Sequence, residues 1–277
     1  MLILLNRYSL LFLMLTFIGL GLYDKTDISV KGLEAIKQAD VVYVEHYTAV
    51  LGCSISELED FYGKKVIVAD RNLVEQGVED TVLRDAKEKN VVFCVVGDVF
   101  GATTHSDLFL RAKKEGIRTA VIHNASILTA VGATGLQLYN FGKTTSLVFF
   151  DDNWKPENAY DVLKQNKEQG LHTVVLLDIK VAEPSKEDLL AGRDTPQKPR
   201  FMTVNQAISQ LLELESIRKE GVFSNDTVCI GVARVGAADQ KIQSGCASEV
   251  QKQDFGTPMH SLVVPGKMHY LEEEFLK

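Results

Sequence analysis

The segment of this 277-residue sequence with the clearest chemical content, residues 95–105, reads VVGDVFGATTH. An apolar run typical of a buried strand passes directly into a loop that holds Asp98 between Gly97 and Gly101. A carboxylate there can accept hydrogen bonds from ribose hydroxyls or from a ligand amine, and the glycines keep the loop close to that ligand. The alternative is that Asp98 caps the next helix, and the spacing favours neither role.

A second polar segment, residues 123–127, reads HNASI and again lies where a predicted strand gives way to a helix. Ser126 is the candidate N-cap of that helix, as Thr103 or Thr104 is for the helix after the first loop. No GxSxG elbow surrounds Ser126, which argues against a serine hydrolase.

The remaining composition excludes several function classes. Six histidines and four cysteines show neither metal-ligand spacing nor a CxxC pair, so we expect no metal site and reduced thiols, as in a cytoplasmic protein. Thirty basic against thirty-seven acidic residues give a net charge of −7, which argues against nucleic acid or an anionic membrane as partner.

Short apolar runs alternate with amphipathic segments, which predicts an α/β protein with parallel strands and crossover helices. In the first half we predict strands at 15–20, 41–45, 65–69, 91–96 and 119–122, and helices at 29–38, 57–61, 74–89 and 104–114. In the second half we predict strands at 146–150, 173–179, 227–233 and 261–264, and helices at 125–138, 158–169 and 204–219. Residues 184–200 are predicted to be loop.

These elements divide the chain into an extension at 1–13, an α/β domain at 14–123 with a five-stranded parallel sheet, and a second α/β domain at 124–277. A small ligand is expected in a cleft between the domains. The apolar run at 10–22 is too short to span a membrane, and its second half fits a central strand better than a targeting segment.

The turn after that strand contains Gly19 and Gly21, which resembles the start of a dinucleotide-binding loop. Asp24 stands where the third glycine would be, and its charge would repel a pyrophosphate. A tight turn at the carboxyl end of a strand is therefore the preferred interpretation, and that edge is where open α/β sheets bind ligands.

Nine segments together carry a family resemblance: MLTFIGLGL (14–22), KGLEAI (31–36), VVGDVFGATTHSDL (95–108), VIHNASI (121–127), GLQLYNFG (135–142), LHTVVLLDIKV (171–181), MTVNQA (202–207), GVARVGAADQKI (231–242) and HSLVVPGK (260–267). The sequence resembles the diphthine synthases, which are S-adenosylmethionine-dependent methyltransferases with the tetrapyrrole-methylase fold. The resemblance covers nearly the whole chain from Met14. One departure is Val99, which stands where the family usually has proline.

The resemblance implies two α/β domains with the cofactor S-adenosylmethionine in the cleft between them. The residues that it places at the cofactor are Leu22, Asp98, Gly101, Ser126, Ile127, Leu177, Val235 and His260. Methyl transfer from a sulfonium is an in-line displacement that depends mainly on alignment, so no catalytic residue is named.

The implied acceptor is a modified histidine of translation elongation factor 2, methylated on the amine of its 3-amino-3-carboxypropyl group. GLQLYNFG and the segment after Asp254 favour a further methylation on the carboxylate, which gives diphthine methyl ester. The alternatives are trimethylation only, a tetrapyrrole methylase, or a non-catalytic module that binds the cofactor. The family also implies a homodimer, with the apolar segment 136–141 as its candidate interface.

Overall fold

The computed structural model describes residues 13–47, 49–151, 153–181 and 197–277. Backbone contacts divide the chain into two compact units between Leu128 and Thr129, slightly beyond the boundary that the sequence predicts. The predicted extension, apart from Leu13, and most of the predicted loop at 184–200 lie outside the described residues. Among the helices in the described ranges, none is both long and apolar enough to cross a membrane.

The first unit contains every strand that the sequence predicts for it. The strands are β1 (Leu15–Gly19), β2 (Val41–Glu45), β3 (Ile67–Ala69), β4 (Val91–Val95) and β5 (Thr119–Ile122). Its helices are α1 (Val30–Gln38), α2 (Ile55–Tyr62), α3 (Arg71–Glu75), α4 (Arg84–Ala86) and α5 (Ser106–Lys114), and α6 (Ile127–Ala130) crosses the boundary between the units.

These strands form one sheet in the order β3-β2-β4-β1-β5, and every pairing is parallel. All residues of β1 and β4 are buried, as expected of strands covered by helices on both faces. Alternate residues enter different cores: Phe17 and Phe93 pack on one face, and Ile18 and Cys94 on the other. The carboxyl ends of β1, β4 and β5 consequently lie side by side.

Two predicted helices of the chain are interrupted in the structure. The helix predicted at 74–89 is wrong, because Gly77 bonds back to Asn72 and Leu73 and ends α3; a π-helical turn, Glu79–Leu83, then leads into α4. The helix predicted at 125–138 is also wrong. In the structure this segment contains α6 and then a 3₁₀ turn that ends at Gly135, whose φ of +85° favours glycine.

The second unit contains a mixed sheet instead of the parallel one that the alternation predicts. Its strands are β6 (Thr145–Leu147), β7 (Thr173–Leu177), β8 (Ile179–Lys180), β9 (Arg200–Phe201), β10 (Val228–Ala233), β11 (Lys241–Cys246) and β12 (His260–Val264). Its helices are α7 (Asn158–Glu168), α8 (Val204–Arg218), α9 (Ala247–Val250) and α10 (Tyr270–Phe275). Five strands pair in the order β11-β10-β12-β7-β6, and β8 and β9 form a separate two-stranded sheet.

In this second sheet β6 and β7 are parallel, and the other three described pairings are antiparallel. The prediction of parallel strands is wrong here because a short turn, with no crossover helix, joins β10 to β11. The sequence analysis missed β11 altogether. Its residues are half-buried or exposed, and they lack the continuous apolar run of a buried strand.

A single carboxylate fixes the chain after the end of α8. Glu215 accepts backbone hydrogen bonds from Gly221, Val222 and Phe223, and it accepts a further one from the hydroxyl of Tyr160. Burial alone would raise the pKa of Glu215, but these four donors outweigh it and lower the pKa to about 2. The ionised carboxylate therefore stabilises the connection that leads to β10.

We expect Glu215→Gln to lower the free energy of unfolding at pH 7 by roughly 1–3 kcal/mol, since an amide donor then faces backbone donors. Because the folded pKa lies below the ordinary value of 4.5, the stabilisation is complete above that pH and is lost as the pH falls toward 2. Urea unfolding should therefore show the free energies of unfolding of the wild type and of Glu215→Gln converging as the pH falls below 4.5. Glu213→Gln, which removes only the surface pair with Lys155, is the control and should change stability little.

Candidate functional site

The edge of the first sheet that carries the predicted site is held by a direct contact between two backbone segments. Gly21 and Gly97 exchange two backbone hydrogen bonds of 3.1 and 2.8 Å. Their φ angles are +90° and +81°, a region that side chains other than glycine disfavour. A Cβ atom on Gly19 would lie 2.7 Å from the carbonyl oxygen of Gly97, so this approach of β1 to the loop after β4 requires glycine there too.

Asp98 follows this contact and accepts three hydrogen bonds within the first unit. Its Oδ2 accepts from the backbone N–H of Asn124 at 3.0 Å and lies 2.9 Å from Nδ1 of His123, while Oδ1 accepts from the N–H of Phe100 at 3.1 Å. Burial alone would raise the pKa of Asp98, but these donors outweigh it and hold the pKa below its ordinary value. The carboxylate is therefore ionised at neutral pH.

The structure excludes one of the two interpretations that the sequence left open for Asp98, the capping of the next helix. Helix α5 begins only at Ser106, and the Asp98 carboxylate bonds to the loop and to the end of β5, so its capping role is wrong. The caps predicted at Thr103 or Thr104 are also wrong. The residue before the helix is His105, which makes no side-chain cap, while the hydroxyl of Thr103 donates to the carbonyl of Val99.

Asn124 is a residue whose importance the sequence analysis missed. Its side-chain amide donates to the carbonyls of Gly19 at 3.1 Å and Asp27 at 3.0 Å, and its oxygen accepts from the N–H of Ala125. One side chain therefore joins the end of β5 to β1 and to the turn before α1. The sequence signal was an asparagine directly after a strand, but its partners lie about a hundred residues away in the chain and are not evident from spacing.

Gly101 and Ser126 are in close contact at the same edge of the first sheet. Ser126 is 4% exposed, and a Cβ atom on Gly101 would lie only 2.6 Å from its Oγ. The same Oγ accepts from the N–H of Leu128 at 3.3 Å, which confirms Ser126 as the N-cap of the helix that follows. Gly101 is thus needed for contact between two loops of the protein itself, a role the sequence analysis had not foreseen.

Leu22 and Ile127 complete the first set of predicted site residues. Leu22 directly follows Gly21 in the turn after β1, and Ile127 is the first residue of α6. Both are half-buried, so each presents part of an apolar side chain to solvent beside the polar groups of the edge. Five of the eight predicted residues therefore lie at one edge of one sheet, in the segments that directly follow β1, β4 and β5.

The other three predicted residues, Leu177, Val235 and His260, lie together in the second unit. His260 pairs with Ala233 in the sheet, and the register of β7 against β12 brings Leu177 to the same end. Val235 follows in the turn after β10. The described residues thus gather the eight predicted positions into two sets, one in each unit.

The imidazole of His260 is fully engaged by its own unit. Its Nε2 lies 3.0 Å from the carbonyl oxygen of Thr257, and its Nδ1 accepts from the N–H of Val204 at 3.4 Å. Burial lowers the pKa of His260, and a neutral ring with its proton on Nε2 satisfies both contacts. The ring is therefore a fixed part of the surface, with neither nitrogen directed to solvent.

Arg234 orders the turn that presents Val235, and the sequence analysis missed it as well. Its backbone adopts a φ of +49°, and its guanidinium donates to the Asp239 carboxylate and to the carbonyls of Phe255 and Thr257. These bonds hold the backbone of the turn in one conformation, which the sequence of the turn alone does not specify. The signal was an arginine between Ala233 and Val235, directly after a strand.

Known proteins resemble this chain over most of its length, beginning near its first strand. The family model described as Tetrapyrrole (Corrin/Porphyrin) Methylases matches residues 14–251. A diphthine methyl ester synthase of Dictyostelium discoideum is 52% identical over 96% of this chain and 97% of that protein. One of Aspergillus fumigatus is 55% identical over 95% of this chain and 93% of that protein. The chain belongs to the tetrapyrrole methylase family.

Within this methylase family the match is to the diphthine synthase branch, as the sequence resemblance implies. A solved structure of a diphthine synthase superposes with a TM-score of 0.81 at 37% identity, covering 95% of this chain and 94% of that one. The α/β fold class predicted from the sequence is therefore confirmed, and the chain is a methyltransferase. Seven of the eight predicted site residues fall inside the segment that the methylase model matches, and His260 lies beyond it.

We expect Gly101→Ala to destabilise the protein by about 1–3 kcal/mol, because the added methyl group overlaps the hydroxyl of Ser126. The matched variant is the double substitution with Ser126→Gly, which removes the two atoms closest to the new methyl group, Oγ and Cβ of Ser126. Urea unfolding of the wild type, both single variants and the double variant gives the coupling energy. Additive losses in that cycle would contradict a direct contact between the two positions.

Proposed function

We propose that this chain uses S-adenosylmethionine to methylate the modified histidine of translation elongation factor 2 in diphthamide biosynthesis. The acceptor is the 3-amino-3-carboxypropyl group, methylated on its amine and on its carboxylate, so that four methyl groups give diphthine methyl ester. The observation that carries the proposal is the identity of more than half, over nearly full length, to proteins named for that product.

The groups at the edge of the first sheet fit this cofactor chemically. Asp98 keeps one lone-pair position on Oδ1 beyond its three protein bonds, and an ionised carboxylate is a suitable acceptor for ribose hydroxyls or an ammonium group. Leu22 and Ile127 offer half-buried apolar surface for a base or a thioether chain. In the second unit, Leu177, Val235 and His260 are the residues proposed to contact the cofactor.

Methyl transfer from this cofactor requires little covalent participation from the protein. The cofactor, when bound, supplies a methyl group on a positively charged sulfur that an amine or carboxylate can attack directly. The contribution of this chain's residues is to hold donor and acceptor in line and to exclude water. The fixed Asp98 carboxylate and the turn at Gly21 and Gly97 are suited to that task, because neither needs to reorganise when a ligand arrives.

The test is mass spectrometry of elongation factor 2 that carries the unmethylated 3-amino-3-carboxypropyl intermediate, after incubation with the protein and S-adenosylmethionine. We expect a gain of four methyl groups. A gain of three would favour diphthine as the product. No gain, with methylation of a porphyrinoid, would favour a tetrapyrrole methylase; cofactor binding without any turnover would favour a non-catalytic module.

Asp98→Ala tests the cofactor contact itself. We expect S-adenosylmethionine to bind about 10–100-fold more weakly, since a hydrogen bond to a charged group contributes roughly 1.5–3 kcal/mol. Calorimetry measures the affinity, and circular dichroism checks that the fold is retained. Asp107→Ala, which removes an exposed carboxylate paired with Arg111 on α5, is the control and should bind like the wild type. Unchanged affinity in the Asp98 variant would remove this residue from the site.

The proposal extends to a cytoplasmic homodimer, since the substrate is a translation factor and the family implies a dimer. The candidate interface at 136–141 exposes Leu138 at 44% and Tyr139 at 81%. Its backbone is anchored by the buried Glu272 of α10, which accepts from the N–H of Gln137 at 2.8 Å. An exposed apolar surface on a fixed backbone is typical of a protein interface.

A further inference from the structure

The imidazole of His123 has a defined orientation at the edge of the first sheet, and the proposed function assigns it no role. Its Nδ1 lies 2.9 Å from Oδ2 of Asp98, while the side chain as a whole is 67% exposed. The other described contact of the ring is with Phe100, whose ring centre lies 6.3 Å away. One nitrogen is therefore held by a carboxylate and the rest of the ring faces outward.

The pairing with Asp98 determines which nitrogen carries the proton. Two backbone N–H groups, of Asn124 and Phe100, already bond to this carboxylate and keep it ionised. An ionised carboxylate only accepts hydrogen bonds, so the neutral imidazole must present its N–H on Nδ1. Nε2 is left with its lone pair on the outward side, which is the arrangement of a histidine base oriented by a carboxylate.

The acceptor that we propose contains two nucleophiles that differ in their protonation at neutral pH. An α-amine is protonated at neutral pH and must lose a proton before each of its methylations, whereas a carboxylate is already deprotonated. A base is therefore useful for the amine and unnecessary for the ester. Resting on the proposed function, we infer that His123 is the catalytic base that takes the proton from the substrate amine through Nε2, with Asp98 as its positioning residue.

The step balances as follows for each amine methylation. Nε2 of His123 takes one proton from the ammonium group, and the nitrogen lone pair so released forms a C–N bond to the methyl carbon. The C–S bond breaks with its electron pair remaining on sulfur, which becomes a neutral thioether. The imidazolium is stabilised by the Asp98 carboxylate and then releases its proton to solvent, which readies the base for the next methylation.

The tautomer can be tested without any turnover. In protein labelled with ¹⁵N-histidine, we expect NMR of the ligand-free wild type at pH 8 to show the His123 proton on Nδ1 and an unprotonated Nε2. In Asp98→Asn the same ring should lose this preference. A proton on Nε2 of His123 in the wild type would overturn the inference, whatever the enzyme's activity.

A second experiment compares the rates of amine and carboxylate methylation in the same variant. His123→Asn retains a side-chain N–H for Asp98 but lacks the outward nitrogen base. We expect it to slow methylation of the amine by at least tenfold at pH 7, a deficit that closes as rising pH lets solvent deprotonate the amine. Ester formation on elongation factor 2 whose amine is already trimethylated should proceed at the wild-type rate. His269→Asn, at the N-cap of α10 in the second unit, where asparagine also caps, is the control for both reactions.

The outcomes separate this inference from the proposal on which it rests. Equal slowing of amine and ester methylation, or no slowing of either, would overturn His123 as the base while leaving the methyltransferase intact. Absence of methyl transfer by the wild-type protein would instead contradict the proposed function, and the NMR result would still decide whether Asp98 orients the ring.

Discussion

The candidate site depends on one constraint, the direct contact between the backbones of Gly21 and Gly97 at the carboxyl end of the first sheet. Their two mutual hydrogen bonds bring the loop after β4 against the turn after β1, and the positive φ angles of both residues favour glycine. Asp98 is the next residue, so its carboxylate is placed by this contact. A parallel sheet, with neighbouring strands ending at the same edge, is what makes such a contact available.

The polar groups around that contact form a single network with a definite charge. Asn124 joins β5 to β1 through its side-chain amide and donates its own N–H to Asp98, so the same residue fixes the strands and the carboxylate. The donors on Asp98 hold the pKa of its carboxyl low, and the ionised group in turn orients His123. The function that we propose uses both consequences: a fixed anion toward the cofactor and an oriented base toward the acceptor amine.

Much of the fold was predictable because its strongest signals are local. The strands at 41–45 and 119–122 match the structure residue for residue, since continuous β-branched runs between amphipathic segments indicate buried parallel strands. The half-exposed strand β11 and the interruption of a helix at Gly77 depend on tertiary context, and the pattern missed both. At the site, the position of Asp98 in a glycine-containing loop after a strand suggested a ligand contact, but the hydrogen bonds of the Asn124 side chain join residues far apart in the chain. Only the folded structure shows them.

The central claim is that the edge containing Gly97, Gly101 and Asn124 binds the methyl donor. The most direct measurement is an amide ¹H–¹⁵N NMR titration of the whole protein with S-adenosylhomocysteine, the demethylated product, which binds without reacting. The account predicts that the largest shifts fall on those three amides and their neighbours, with little change at the opposite ends of β1 and β4. Saturable binding that leaves these amides unmoved would contradict it.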